Sequence, residues 1–182
     1  MPIFIGGMFK SGTSLARKYL GNHPTIFSGL ETNWFEFDKL FNDEKFDIKF
    51  KVNIWSAFFK IDVATIENII KQSNCSEEIL DNLMETIINK KNFKFWCDKS
   101  PPNITHGERI FKYWSDAKLV HIIRDPLDVF CSCKEAKKWD NPNLFVDTWS
   151  KIFNNLNKLR TNKNYLEIHY EDLILNRIET LK

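Results

Sequence analysis

Short unbroken apolar runs alternate along this chain with longer stretches of helical spacing. The first run, at residues 3–5, stops at Gly6-Gly7 and reads as a buried strand. Thr13 or Ser14 can cap the helix that follows, through about Leu20, and Gly21 with Pro24 ends it. Residues 32–73 are aromatic-rich and predict mostly helices. From Ser76 the pattern is clearer, because Ile79, Leu80, Leu83, Met84, Ile87 and Ile88 fall on one helical face. A second strand is predicted over 93–97, ended by Asp98-Lys99-Ser100-Pro101-Pro102. A helix over 104–114 leads to a third strand over 118–123. Arg124-Asp125-Pro126 follows, and Pro126 suits the first turn of the next helix. A helix over 143–160, a fourth strand over 165–169 and a helical stretch carrying Ile174, Leu175, Ile178 and Leu181 complete the chain.

Strands alternating with helices predict an α/β fold with a mostly parallel central sheet flanked by helices, a three-layer arrangement. Ligands of such sheets bind beyond the carboxyl ends of the strands. Three of the segments expected there are Lys10-Ser11-Gly12-Thr13-Ser14, Asp98-Lys99-Ser100-Pro101 and Arg124-Asp125-Pro126. Each carries a cation, so together they suit a multiply charged anion. Five of the six glycines (6, 7, 12, 21 and 29) lie around the first strand and helix, where backbone freedom is therefore concentrated.

Composition narrows the class. The 182 residues suit one domain, 1–182, and 43% apolar content with sixteen Phe can fill its core. A net charge of only +2 gives no support for a nucleic-acid partner held by phosphate neutralisation. Cys75, Cys97, Cys131 and Cys133 form no CxxC pair and no zinc-spaced cluster, so no metal is expected. They read as small buried or half-buried side chains. The N-terminus has no basic region or cleavage site and reaches Lys10 too soon for a membrane span. With Met1 as the start, the expected location is cytoplasmic.

Gly6-Gly7-Met8-Phe9-Lys10-Ser11-Gly12-Thr13-Ser14 has the makeup of a strand–loop–helix phosphate cradle, a P-loop-type element. It is not a Walker A loop, because Phe9 stands before Lys10 where glycine is needed, and the chain has no Gly-Lys pair elsewhere. A P-loop kinase of a small molecule is therefore disfavoured. Taken singly, each candidate has a plainer reading. Glu31 suits a solvated loop, Lys99 a surface cation, Arg124-Asp125 a local ion pair, Ser132 a helix-face hydroxyl and Tyr170 a half-buried aromatic. His121 and His169 sit in apolar strands and read as structural, and His23 before Pro24 as a packing or capping group.

Jointly, the motifs resemble the sulfotransferase family. Gly7-x-x-Lys10-Ser11-Gly12-Thr13-Ser14-Leu15 with His23-Pro24 is similar to its 5′-phosphosulfate loop. Val120-His121-Ile122-Ile123-Arg124-Asp125-Pro126 with Ser132 is similar to its 3′-phosphate motif. Trp96-Cys97-Asp98-Lys99-Ser100-Pro101 resembles its Lys-Thr-Pro segment, and Ile168-His169-Tyr170-Glu171-Asp172-Leu173 its Tyr-Glu-Asp-Leu strand end. Gly29-Leu30-Glu31-Thr32 resembles a Gly-x-Glu-Thr step of the protein-tyrosine branch, though Lys10 and Asn33 stand where that branch has Arg.

The resemblance implies 3′-phosphoadenosine 5′-phosphosulfate as co-substrate, without a metal. Lys10, Ser11, Gly12, Thr13 and Ser14 would hold its 5′-phosphate and sulfate, Arg124 and Ser132 its 3′-phosphate, and Tyr170 would line the pocket. Glu31 would be the general base, with Lys99 and Lys10 stabilising the transition state. The acceptor would be a hydroxyl of tyrosine, carbohydrate or a small molecule. The family closes its site with a later C-terminal segment, which residues 1–182 are expected to lack. A homodimer is left open, and a nucleotide-binding module without catalysis is the reading from another class.

Overall fold

In the computed structural model the described residues are 1–29, 31–37, 48–136, 141–154 and 156–181. Leu30 of the Gly-x-Glu-Thr step, and residues 38–47 of the aromatic-rich stretch, lie outside them.

Among the described residues, five strands form one sheet: β1 (Pro2–Gly7), β2 (Ile26–Ser28), β3 (Phe95–Lys99), β4 (Lys118–Ile123) and β5 (Tyr165–His169). Their order is β2-β3-β1-β4-β5, and every pairing is parallel. The sheet is thus fully parallel with β1 at its centre, as the α/β pattern predicts. Strand β2 is an addition to the expected four. It has three residues, too few for a period-two signal, and pairs only with β3.

The pleat divides the core into two layers. Phe4, Trp96 and Leu119 point into the larger cluster, while Ile3, Ile5, Cys97 and Ile122 point into the smaller one. The larger layer is covered by α3 (Ile48–Phe59), α4 (Val63–Gln72), α5 (Ser76–Lys91), α6 (Gly107–Tyr113) and α8 (Pro142–Asn154). Its centre is aromatic. The Phe4 ring meets Trp96 edge-on at 5.4 Å and Trp114 at 5.2 Å. The smaller layer is covered by α1 (Thr13–Gly21) and by α10 (Tyr170–Leu175), through Ala16 and Leu173. The other helices are α2 (Trp34–Phe37), α7 (Pro126–Glu135), α9 (Leu156–Leu159) and α11 (Arg177–Thr180).

Several expectations change in detail. Helix α1 is capped by Gly12 in the left-handed region, φ 99°, rather than by Thr13 or Ser14. The reason is steric, because a Cβ at residue 12 would lie 2.2 Å from the Tyr170 ring. The helix expected over 104–114 is a 3₁₀ helix over Pro101–His106 running into α6, since two prolines open it. The helix expected over 143–160 is present as α8 and α9, with residue 155 between them outside the described residues. Cys97 and Cys133 are buried, but Cys75 and Cys131 are exposed, against the reading of all four as at least half-buried. Among the described residues, no helix is long and apolar enough to cross a membrane.

Candidate active site

Because all strands run the same way, the segments after β1, β3 and β4 emerge at one edge of the sheet. The loop from β1 to α1 turns tightly. Ser11 N donates to the Met8 carbonyl at 3.1 Å, and Lys10 takes a left-handed φ of 68°. Gly7 is required there, since a Cβ would meet the Ile122 carbonyl oxygen at 2.5 Å. Leu15 and Ala16 donate back to the Gly12 carbonyl, so the amides of Thr13 and Ser14 are left as first-turn donors without a backbone partner among the described residues. The Ser11 hydroxyl is buried beneath the loop and has no hydrogen-bond partner among the described residues.

Lys99 ends β3 and is buried, with 2% of its surface exposed. Its Nζ donates to Ser14 Oγ at 3.2 Å and forms an ion pair with the Glu31 carboxylate. Glu31 reaches it from the turn after β2, and 40% of its side chain remains exposed. That turn is fastened to β3 and the residues just after it. The fully buried Asp98 carboxylate accepts from Thr32 N at 3.3 Å and from Asn103 Nδ2 at 2.9 Å. Ser100 Oγ accepts from Asn33 N at 2.9 Å. Burial pushes the Asp98 carboxyl above the usual carboxylate range, against the hydrogen bonds that favour its anion. Arg17 holds the chain just ahead, donating to the Gly29 carbonyl at 2.8 Å. Ser100 and Asn103 were not singled out as site residues in the sequence, and Asp98 only as a fallback base in place of Glu31. The one signal was that Asp98 and Ser100 flank Lys99.

Arg124 follows β4 and lies over the Tyr170 ring at 4.6 Å, while its Nη1 donates to the Lys10 carbonyl at 3.1 Å. Its acidic neighbour in space is Asp128, at 3.5 Å, and not Asp125. Asp125 is occupied as the N-cap of α7, accepting from Leu127 N and Asp128 N. The Arg124 Nε is buried and without a partner among the described residues.

These elements enclose a cavity of about 440 Å³ whose lining includes Lys10, Gly12, Thr13, Ser14, Glu31, Arg124, Ser132 and Tyr170. Ser11 and Lys99, buried at its margin, are not among the lining residues. Every candidate residue from the sequence thus gathers at one edge of the sheet. Two cations on the lining, with the buried orphans Ser11 Oγ and Arg124 Nε, fit an anionic ligand that would satisfy them. A second cavity of about 510 Å³ adjoins the first, sharing Phe9, Glu31 and Pro101 with it.

A parallel sheet with a glycine-rich anion loop after its central strand defines an α/β protein of the P-loop type. The chain belongs to the sulfotransferase family, whose model matches residues 2–182, and so it is a transferase. Among solved structures it is similar to the sulfotransferase domain of the Synechococcus PCC 7002 olefin synthase. That likeness has TM-score 0.72 and 20% identity, covering 100% of this chain and 70% of that one. The sulfotransferase domain from the curacin biosynthetic pathway gives TM-score 0.70 at 20% identity, covering 100% and 71%. Sulfotransferase STF9 from Mycobacterium avium gives TM-score 0.59 at 14% identity, covering 99% and 61%. Identities this low carry the fold alone. A comparison with curated protein sequences finds no match.

Proposed function

We propose that this protein transfers a sulfuryl group from 3′-phosphoadenosine 5′-phosphosulfate to a hydroxyl acceptor, with the whole of residues 1–182 acting as one domain. The observation that carries the reading is the Glu31–Lys99 pair, because Glu31 lies on the boundary between a cation-lined cavity and an adjoining one. That is where a donor and an acceptor would meet.

When bound, the co-substrate supplies an activated sulfur and a phosphate leaving group. The chain's own residues do the rest. The loop amides with Lys10, Ser11, Thr13 and Ser14 bind the 5′ side, where a helix N-terminus favours anions. Arg124 and Ser132 bind the 3′-phosphate, and Tyr170 lines the pocket beside Arg124. Glu31 takes the proton of the acceptor hydroxyl as its oxygen bonds to sulfur. The bond from sulfur to the bridging phosphate oxygen breaks, and that oxygen keeps the electron pair. Lys99 and Lys10 stabilise the charge that develops there.

The test is nucleotide choice. In thermal-shift measurements 3′-phosphoadenosine 5′-phosphate should stabilise the protein far more than 5′-AMP or ATP with Mg²⁺. Equal stabilisation by 5′-AMP would remove the 3′-phosphate site from the proposal. Labelled sulfate passing from donor to a hydroxyl acceptor separates an enzyme from a module that only binds nucleotide.

A further inference from the structure

The second cavity limits what the acceptor can be. At about 510 Å³ it has the size of a small-molecule pocket. Most of its wall is apolar: Met8 and Phe9 from the loop, Pro101, Pro102 and Ile104 from the 3₁₀ helix, and Ile152 from α8. A hydrocarbon body finds matching surface on that wall, with polar partners only where Asn33, Thr105, Thr148 and the charged side chains stand.

Among the described residues three charged side chains line this cavity, and they are not equivalent. Glu31, at the boundary with the donor cavity, is paired with Lys99. The Glu36 carboxylate meets His106 Nε2 at 3.3 Å, and the His106 ring is itself stacked on Phe35 at 5.1 Å. Lys151 has no hydrogen bond or ion pair among the described residues. Helix α8 brings Thr148, Lys151 and Ile152 to the cavity on one face, by their spacing of three and four residues. The Thr148 hydroxyl is already engaged, donating to the Leu144 carbonyl at 2.8 Å. Among the described residues, Lys151 is therefore the one charged side chain of the cavity without a hydrogen-bond or ionic partner, on the wall that α8 supplies.

Resting on the sulfotransferase reading above, we infer that the acceptor is an apolar alcohol with an acidic group at its far end. Its hydroxyl lies at Glu31, its hydrocarbon body against the proline and isoleucine wall, and its acid at Lys151.

The test uses the full chain saturated with 3′-phosphoadenosine 5′-phosphate. Binding of 4-hydroxybutanoate, 6-hydroxyhexanoate, 8-hydroxyoctanoate, 1-octanol and 8-amino-1-octanol is measured by titration calorimetry. Turnover of the same alcohols, a tyrosine peptide and glucose is then followed with labelled donor. Affinity along the hydroxy-acid series should climb by roughly threefold to fourfold per added methylene, the value of apolar burial. Because Lys151 is solvent-facing, 8-hydroxyoctanoate should exceed 1-octanol by only about threefold to fivefold, the scale of an exposed ion pair. Among the three eight-carbon alcohols the amino alcohol should rank last, and Lys151→Glu should reverse that ranking. The inference falls if the nucleotide binds but the hydroxy acid is not preferred over 1-octanol. It also falls if the peptide or glucose is the better acceptor, or if Lys151→Glu leaves the ranking as it was. No stabilisation by the nucleotide at all would overturn the donor reading, and this one with it, through a measurement made before any acceptor is added.

Discussion

Two polar clusters sit in the same sheet, and they differ in how completely they are satisfied. At the carboxyl edge, Lys99, Glu31 and Ser14 form an open cluster. Glu31 remains 40% exposed at the junction of two cavities. Ser11 Oγ and Arg124 Nε nearby are two of the four buried side-chain atoms left without partners among the described residues. In the larger core layer, His121 on β4 and Tyr165 on β5 form a closed one. The Tyr165 hydroxyl donates to Glu167 Oε1 at 2.8 Å, so its oxygen is left to accept from His121 Nδ1 at 2.7 Å, which assigns the Nδ1–H tautomer. Arg160 Nε in turn donates to Glu167 at 2.9 Å. Titration in the closed cluster is strongly perturbed. Burial lowers His121 to about 4 and pushes the Tyr165 phenol well up. Yet neither residue lines any of the cavities described above. Strong perturbation therefore marks the scaffold here and not the cavities.

The largest effects should separate the clusters by activity. Lys99→Ala removes the buried cation beside the proposed reacting centre and should lower turnover by roughly a hundredfold to a thousandfold. Glu31→Gln should lower it by roughly a hundredfold or more, with little change in stabilisation by 3′-phosphoadenosine 5′-phosphate. Steady-state kinetics with labelled donor would measure both. The comparison breaks if His121→Asn costs as much turnover as Glu31→Gln at equal folded fraction.

How much of this was legible in sequence depends on range. The strands over 118–123 and 165–169 match β4 and β5 residue for residue, because short apolar runs between polar breaks specify them locally. The first loop was legible for the same reason. The Gly12 cap was not, since it depends on Tyr170, and the two are far apart in the chain. Nor was the fastening of the Glu31 turn, where Thr32 reaches Asp98 across 66 positions. Periodicity names what each element is. It does not say which side chain will meet the end of another strand. The resemblance named Glu31 and Lys99 separately, and only the parallel pairing of β2 with β3 brings the two together.

The next effect concerns stability and sharpens the contrast from the closed side. His121 is 2% exposed, and burial holds its folded pKa near 4 against an ordinary 6.5. Glu167 opposes that shift, while Arg160 and His169 assist it. The unfolded chain therefore binds a proton that the folded chain refuses between these values. Stability should be intact above pH 6.5 and fall as pH drops toward 4, by on the order of 3 kcal/mol. Urea unfolding across that window should show a shallower loss in His121→Asn than in the parent. Parallel curves would mean that the ring is solvated, or protonated, in the folded protein.

The smallest effect tests the open cluster at its most committed point. Arg124 makes three contacts that do not need a ligand: the Lys10 carbonyl, the Tyr170 ring and Asp128. A purely structural Arg124 would hold the loop through those contacts, and its loss would weaken every nucleotide equally. The unpartnered Nε argues for more, because a buried guanidinium N–H without an acceptor is costly unless something arrives to satisfy it. If that something is the 3′-phosphate, Arg124→Ala should weaken 3′-phosphoadenosine 5′-phosphate by roughly 1.5–3 kcal/mol while weakening 5′-AMP much less. The preference between the two nucleotides would then shrink by roughly tenfold to a hundredfold. Arg124→Lys should recover part of it, since an ammonium keeps the charge but not the paired N–H fork. Calorimetric titration of both nucleotides against the three proteins reads the result directly. An equal loss for both ligands would return Arg124 to the scaffold, beside His121.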